Sequence, residues 1–392
     1  MTAAARVRAY SGPAIFSYGF RPFFLGGAIW AGAAMALFFL MLQGDLALPT
    51  AFEVVDWHIH ELLYGYLPAI VAGFLLTAVP SWTGRPPVTG ALLAALFAIW
   101  LAGRVAVAAS ALIGPAPAAA VDLLFLIALA AVAAREIASG KNFRNLKILI
   151  LVALLGAGNL VFHIEAVTSG ASNYGKRIGI TAAILLIALI GGRVVPSFTR
   201  NWLARSGPDN LPEPFGRFDA IALALSAIAL AIWIAVPDGV ATASACALAG
   251  VLQLIRLARW KGHRTFSEPL VTVLHAAYIF VPIGFLLTAI AAVSPDAVSK
   301  ASGIHAWTAG AIGLMTLAIM TRASLGHTGR PLAATRAIAA IYLSVAAAAA
   351  GRILAEMGVL PHIMLYIAAG FWILAFWGFS AVFAPLLLKS RA

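Results

Sequence analysis

The sequence predicts an all-α membrane protein of about twelve transmembrane helices, and three observations carry that prediction. Of the 392 residues, 62% are hydrophobic and only 10% are charged, whereas a soluble domain carries roughly 25% charged residues. Apolar runs of about 20 residues, the length that crosses a hydrocarbon core, recur from end to end. Basic residues alternate between dense and sparse on successive connecting segments. Inside lipid the backbone polar groups must be paired within the segment, so runs this long are helices.

Taken in order, the spans fall near 22–42, 57–80, 90–111, 118–134, 146–167, 178–197, 218–236, 240–257, 270–293, 303–321, 336–356 and 361–385. The connecting segments test this count. With the N-terminus on the cytoplasmic side, one set of segments carries Arg6, Arg8 and Arg21, then Arg85, then Arg135, Lys141, Arg144 and Lys147. The same side continues with Arg200, Arg205 and Arg217, then Arg256, Arg259, Lys261 and Arg264, then Arg322, Arg330 and Arg336, and last Lys389 and Arg391. That set holds 20 of the 26 Lys and Arg residues. The opposite segments hold Lys176, Arg177 and Lys300, and Arg104, Arg193 and Arg352 lie inside spans. An odd number of spans would scramble the alternation. The positive-inside rule therefore predicts that both termini are cytoplasmic.

The formal net charge of +12 is spread through short loops and forms no single patch, which argues against nucleic acid as a partner. A lone cysteine, Cys246 in ATASACALAG, excludes a disulfide framework and any thiolate metal site of several ligands. The first residues, MTAAARVRAYSGPAIFSYGFRP, lack the apolar stretch of a cleaved signal and are expected to belong to the mature chain.

Internal recurrences suggest three parallel four-helix repeats, 20–142, 143–265 and 266–392, within one transmembrane domain. Phe20-Arg21 before span 1 recurs as Phe143-Arg144 before span 5, and Phe266 precedes span 9, each step being 123 residues. Spans 2, 6 and 10 end in related turns: Pro80 to Arg85, Pro196 to Arg200 and His327 to Pro331. His60 and His305 each lie 23 residues before the Thr of their turn, and Ala-Gly-Arg recurs at Arg104 and Arg352. Chance in a chain rich in Ala, Gly and Leu is the competing explanation.

At a rise of about 1.5 Å per residue, His58, His60, His163 and His305 share one level near the outer edge of the hydrocarbon. Ligating residues at membrane depth are functional candidates, and histidine serves both haem and copper. His58 and His60 are about 200° apart around a helix, so they cannot both face one centre. Either one is a ligand and the other caps or hydrogen-bonds, or they serve neighbouring centres. Glu61 could orient an imidazole, and Asn159 and His163 share a face of span 5 with Glu165 beyond. Glu61 and Glu165 are the candidate proton carriers. His60 and His305, at matching depth, are candidate ligands of one haem, and His58 and His163 of a second metal. Arg104 and Arg352 need anionic partners, for which haem propionates or helix carbonyls would serve. Asp122 reads as an interfacial residue. His275, Arg193 and His327 either line an inner-side pathway or pair with loop groups.

At Phe16–Phe24 (FSYGFRPFF), Trp57–Gly84, Gly191–Trp202 (GGRVVPSFTRNW) and His305–Pro331 the chain resembles the NnrS family over essentially its whole length. Members are bacterial inner-membrane proteins linked to nitric oxide metabolism and nitrosative stress, and described as containing haem and copper. The resemblance implies haem b and copper as cofactors and nitric oxide as ligand or substrate. It names no electron donor and no ligand residues. The arrangement of three four-helix units also resembles the haem-copper oxidase and nitric oxide reductase architecture. Spans 6 and 7 lack histidine, so His163 would have to take the place of the usual ligands there.

The expected function is accordingly a haem-bearing, copper-bearing oxidoreductase or scavenger of nitric oxide. Two alternatives stand beside it: a twelve-span transporter, and a sensor that binds haem without turnover.

Overall fold

A computed structural model describes residues 10–205 and 211–389. Arg6, Arg8 and Arg391 of the charge alternation lie outside the described residues. The chain is 81% helix with no strand among the described residues. Among the described residues, twelve helices are long and apolar enough to cross a membrane. They are α1 Phe20–Gln43, α2 Val54–Thr83, α3 Ala91–Ala108, α4 Pro115–Ser139, α5 Leu146–Thr168 and α6 Tyr174–Leu203, followed by α7 Arg217–Ala235, α8 Val240–Arg264, α9 Pro269–Val293, α10 Lys300–His327, α11 Arg336–Glu356 and α12 Pro361–Leu388. Each overlaps one expected span. The largest extensions are at α6 and α10, whose helical hydrogen bonding continues into polar residues after the apolar run has ended.

Helix ends follow elementary chemistry. α1 and α2 stop at Gly44 and Gly84, both with positive φ, which a residue without Cβ adopts at no steric cost. α4 and α9 begin with proline, whose missing N–H would have no partner there anyway. Thr335 caps α11 by accepting from the Ile338 amide.

Three of the helices contain a π-helical stretch. Residues Glu61–Tyr66 of α2, Ile187–Gly191 of α6 and Ala306–Ile312 of α10 form π-helical segments. These are the helices whose closing turns are related in sequence. A π turn holds one residue more than an α turn, and such segments gather at functional sites.

The described chain forms two compact units. Unit 1 comprises residues through 179 with 323–330 and 376 onward; unit 2 comprises 180–322 and 331–375. In unit 1, Phe23, Leu76, Leu93, Trp100, Phe125 and Leu129 make a core between α1, α2, α3 and α4. Arg21, buried in the first turn of α1, donates to the carbonyls of Leu387 (2.9 Å) and Lys389 (2.7 Å), which the end of α12 leaves without helical partners. That is the physical role of the arginine in FSYGFRPFF.

Candidate metal centre

Four helices of unit 1 bring six polar side chains to one buried point: His60 and Glu61 from α2, Arg104 from α3, Asp122 from α4, and Asn159 and His163 from α5. His60, Glu61 and Asn159 are fully buried, and the other three are at most 5% exposed. Asn159 and His163 are one turn apart, so a single face of α5 presents both. The π-helical segment of α2 starts at Glu61, directly after His60. Its Gly65 is glycine for a visible reason: a Cβ there would collide with the Arg104 guanidinium and the Glu61 carboxylate. Trp100, one turn before Arg104 on α3, donates its indole N–H to the Gly65 carbonyl at 2.8 Å, pairing a group that the widened turn exposes.

The hydrogen bonds form a closed chain. Glu61 accepts from Trp30 Nε1 (2.7 Å) and from Arg104 Nη1, 2.7 Å from each carboxylate oxygen. Its Oε1 also lies 3.0 Å from His60 Nδ1. Arg104 Nη2 donates to Asp122 Oδ1. Asp122 Oδ2 accepts from Asn159 Nδ2 at 2.7 Å and stands 3.1 Å from His163 Nε2 and 3.2 Å from His60 Nε2. His60 Nε2 is also 3.0 Å from Asn159 Oδ1. The guanidinium thus lies between two carboxylates and compensates both, which a buried pair requires. Around the imidazoles stand rings: Phe52, Phe162 and Tyr64 have centroids 5.1, 5.3 and 5.6 Å from that of His60, and His163 is at 5.0 Å.

Three of these groups could hold a metal ion. One ligand atom each from His60, Asp122 and His163 lies within 4.8 Å of the other two, all three buried. Two imidazole nitrogens and a carboxylate oxygen are a donor set suited to first-row transition metals.

The sequence candidates divide. His60, Glu61, Arg104 and His163 come together. His58 does not join them: its ring stacks on Phe38 with centroids 4.0 Å apart, the divergence that a two-residue spacing imposes. Glu165 stands apart as well, accepting backbone amides of Asn173 (2.9 Å), Tyr174 (2.9 Å) and Gly175 (2.8 Å) at the start of α6. A carboxylate there meets unpaired N–H groups and the positive end of the helix dipole. His305 and Arg352 meet in unit 2, sharing Glu356: Arg352 Nη1 is 2.5 Å and His305 Nε2 3.7 Å from its Oε1, and Ser299 Oγ donates to Oε2 at 2.9 Å. This group is partly exposed. Asp122, expected at an interface, is instead the acid on which the centre turns. The usable signal was its depth, seven residues inside α4, the same level as His60 in α2.

Unit 2 has a second buried ion cluster. Arg256 Nε donates to Asp219 Oδ1 (2.8 Å), and its Nη1 to Tyr278 Oη and to the Ala188 carbonyl in the π-helical segment of α6 (2.9 Å each). Tyr278 donates to Gln253 Oε1 (2.7 Å), and Gln253 Nε2 to Ser226 Oγ (2.8 Å). His275 lies apart, its Nε2 2.8 Å from Thr199 Oγ1, and His327 packs against Tyr18 and Phe20 in unit 1.

A family model described as NnrS protein matches residues 14–391, nearly the whole chain. The chain belongs to the NnrS family. No curated protein matches it. In this NnrS-family membrane protein, the block Trp57–Gly84 carries His60, Glu61 and Gly65, and so contributes one side of the candidate metal centre. The block Gly191–Trp202 runs alongside the second cluster: Gly192 leaves the space that the Arg256 guanidinium fills.

Proposed function

We propose that the protein holds a transition-metal ion between His60, Asp122 and His163 and binds or reduces nitric oxide there, within a bacterial inner membrane. The observation that carries the reading is the convergence of three ligand atoms from three helices on one buried point. Copper, which the family resemblance implies, is among the ions that this donor set suits. Such an ion would supply an open coordination position for a diatomic ligand. The chain's own groups do the rest. Glu61 lies on the Nδ1 side of His60 and so leaves Nε2, beside Asp122, as the nitrogen that would ligate once a metal displaced its proton, the usual arrangement of a ligating imidazole. Trp30 and Arg104 fix Glu61 in turn. Glu61, 3.0 Å from His60, is also the candidate carboxylate for proton delivery.

Haem b calls for another position. The rings of Phe52, Phe162 and Tyr64 pack around His60, which weighs against a macrocycle there. His305, partly exposed in unit 2, is the better candidate axial ligand, with Arg352 as partner for a propionate. Orientation with both termini cytoplasmic rests on the alternation of basic segments.

Metal analysis of purified protein tests the reading. Stoichiometric metal is expected in the wild type and is lost in His163→Ala, together with nitric oxide binding by the reduced protein. Equal metal content in the two proteins would sink the proposal. Stoichiometric binding with no consumption of a second equivalent would instead favour a sensor or scavenger. A transporter reading draws on the π-helical interruptions of α2, α6 and α10, since broken helices are a transporter feature; it expects metal-free protein.

A further inference from the structure

The ligands of the candidate centre all sit near helix ends: His60 near the start of α2, Asp122 near that of α4, and His163 near the end of α5. The segments joining those ends are 44–53, 109–114 and 169–173, and Phe52, on the first of them, touches both histidines. It is buried, and its ring centroid is 5.1 Å from that of His60, 5.3 Å from His163 and 5.6 Å from Phe162. Aromatic rings at such distances are in direct contact, so nothing reaches either imidazole from this side unless Phe52 moves.

Tyr64 and Phe162, the other rings around His60, belong to α2 and α5 themselves, and Tyr64 is tied by its hydroxyl to the Gly175 carbonyl at 2.6 Å. Phe52 is on a connecting segment, the class of structure that opens at lowest cost. What holds that segment is a small latch on Ser110. The Ser110 hydroxyl donates to the Val107 carbonyl (2.8 Å), accepts from the Ala51 amide (2.8 Å), and lies 3.3 Å from Thr50 Oγ1. Beside it the Ala111 amide donates to the Pro49 carbonyl at 2.9 Å.

Resting on the metal-centre reading, we propose that Phe52 is the specificity-determining residue of this site. It admits small uncharged ligands of diatomic size and shuts out larger or charged ones, and Ser110 sets how often it opens. An aromatic wall offers no polar group to replace a hydration shell, so a charged ligand would have to cross it stripped of water.

The test uses metal-free, full-length protein and diethyl pyrocarbonate, which acylates accessible imidazoles, with sites read by peptide mass spectrometry. In the wild type the partly exposed His58 and His305 react and His163 does not. Ser110→Ala removes an acceptor worth about 1 kcal/mol, which raises His163 labelling about fivefold; Phe52→Ala raises it further. Buried His275 of unit 2 controls for general loosening. A rise at His163 without one at His275, in either variant, supports the gate. No rise in either variant, a matching rise at His275 in both, or wild-type His163 reacting as fast as His58 overturns it. With copper-loaded protein at neutral pH, imidazole should perturb the copper spectrum in Phe52→Ala but not in the wild type, and cyanide, which arrives as small uncharged hydrogen cyanide, in both. Imidazole binding equally well to both overturns the gate. Copper that fails to bind at all defeats the metal reading while the labelling result still decides the gate.

Discussion

In unit 1 an arginine, Arg104, is held between Glu61 and Asp122 beside the π-helical segment of α2; in unit 2 an arginine, Arg256, is held between Asp219 and Tyr278 beside that of α6. In each, a donor from a neighbouring helix pairs a carbonyl of the widened turn: Trp100 takes that of Gly65 and Arg256 itself that of Ala188. The clusters differ in what remains. Around Arg256 the hydrogen bonds run donor to acceptor through Tyr278 and Gln253 to Ser226 and the Ala222 carbonyl. Around Arg104 one carboxylate oxygen, Asp122 Oδ2, faces two imidazole nitrogens at 3.1 and 3.2 Å. Burial of charge is common to both, so burial alone does not mark a site. Converging lone pairs do.

The strongest way to break this comparison is to remove the acid from each cluster. Asp219→Ala leaves buried Arg256 without its counter-charge, which costs about 3–5 kcal/mol, whereas Asp122→Ala leaves Arg104 paired with Glu61 alone and costs less. Thermal unfolding in detergent should register a loss of stability in both variants. Metal content should fall in Asp122→Ala alone; metal lost equally in Asp219→Ala would mean that the two clusters are not different in kind.

A gentler experiment sharpens the contrast. Replacing both members of a buried ion pair by apolar residues of similar size is often close to neutral. Asp219→Leu with Arg256→Met should therefore recover most of the stability lost by Asp219→Ala and keep the metal. In unit 1 the replacement has to include Glu61, which Arg104 also pairs: Asp122→Leu with Arg104→Met and Glu61→Gln should recover stability and still lack metal. Metal retained by that variant would remove Asp122 from the ligand set.

The smallest effect is expected at Glu165. As a carboxylate on the amides that start α6, it is worth about 1 kcal/mol, so Glu165→Gln should lower the unfolding midpoint slightly and leave metal content unchanged. A loss of nitric oxide consumption with intact metal would restore Glu165 to a proton-carrying role.

Much of the fold was legible because hydropathy and charge are additive along a run: every expected span overlaps a helix. The divergence of His58 and His60 was legible too, since it follows from the helical angle alone. Asp122 was not, because one acid in an apolar run has the same sequence signature whether it faces an interface or three neighbouring helices; α3 and α5 decide the matter. Glu165 escaped for a related reason. Its partners are backbone amides at the start of α6, brought back by the short reversal at 169–173, and amides carry no side-chain signature. The three candidate repeats remain a proposal, to which the recurrence of π-helical segments in α2, α6 and α10 adds weight.

One residue too many in a helical turn is also a phase shift. A residue inserted into a regular α-helix rotates all that precedes it by about 100° relative to all that follows. The segment Glu61–Tyr66 divides α2 into an upstream part ending at His60 and a downstream part, Leu67–Thr83, buried against the core of unit 1. The two parts need not share one stripe of inward-facing positions. A lineage could therefore re-aim the imidazole by gaining or losing one codon at this joint while the downstream packing stayed in register, which makes insertion, more than substitution, the mutational route by which such a histidine enters or leaves a site.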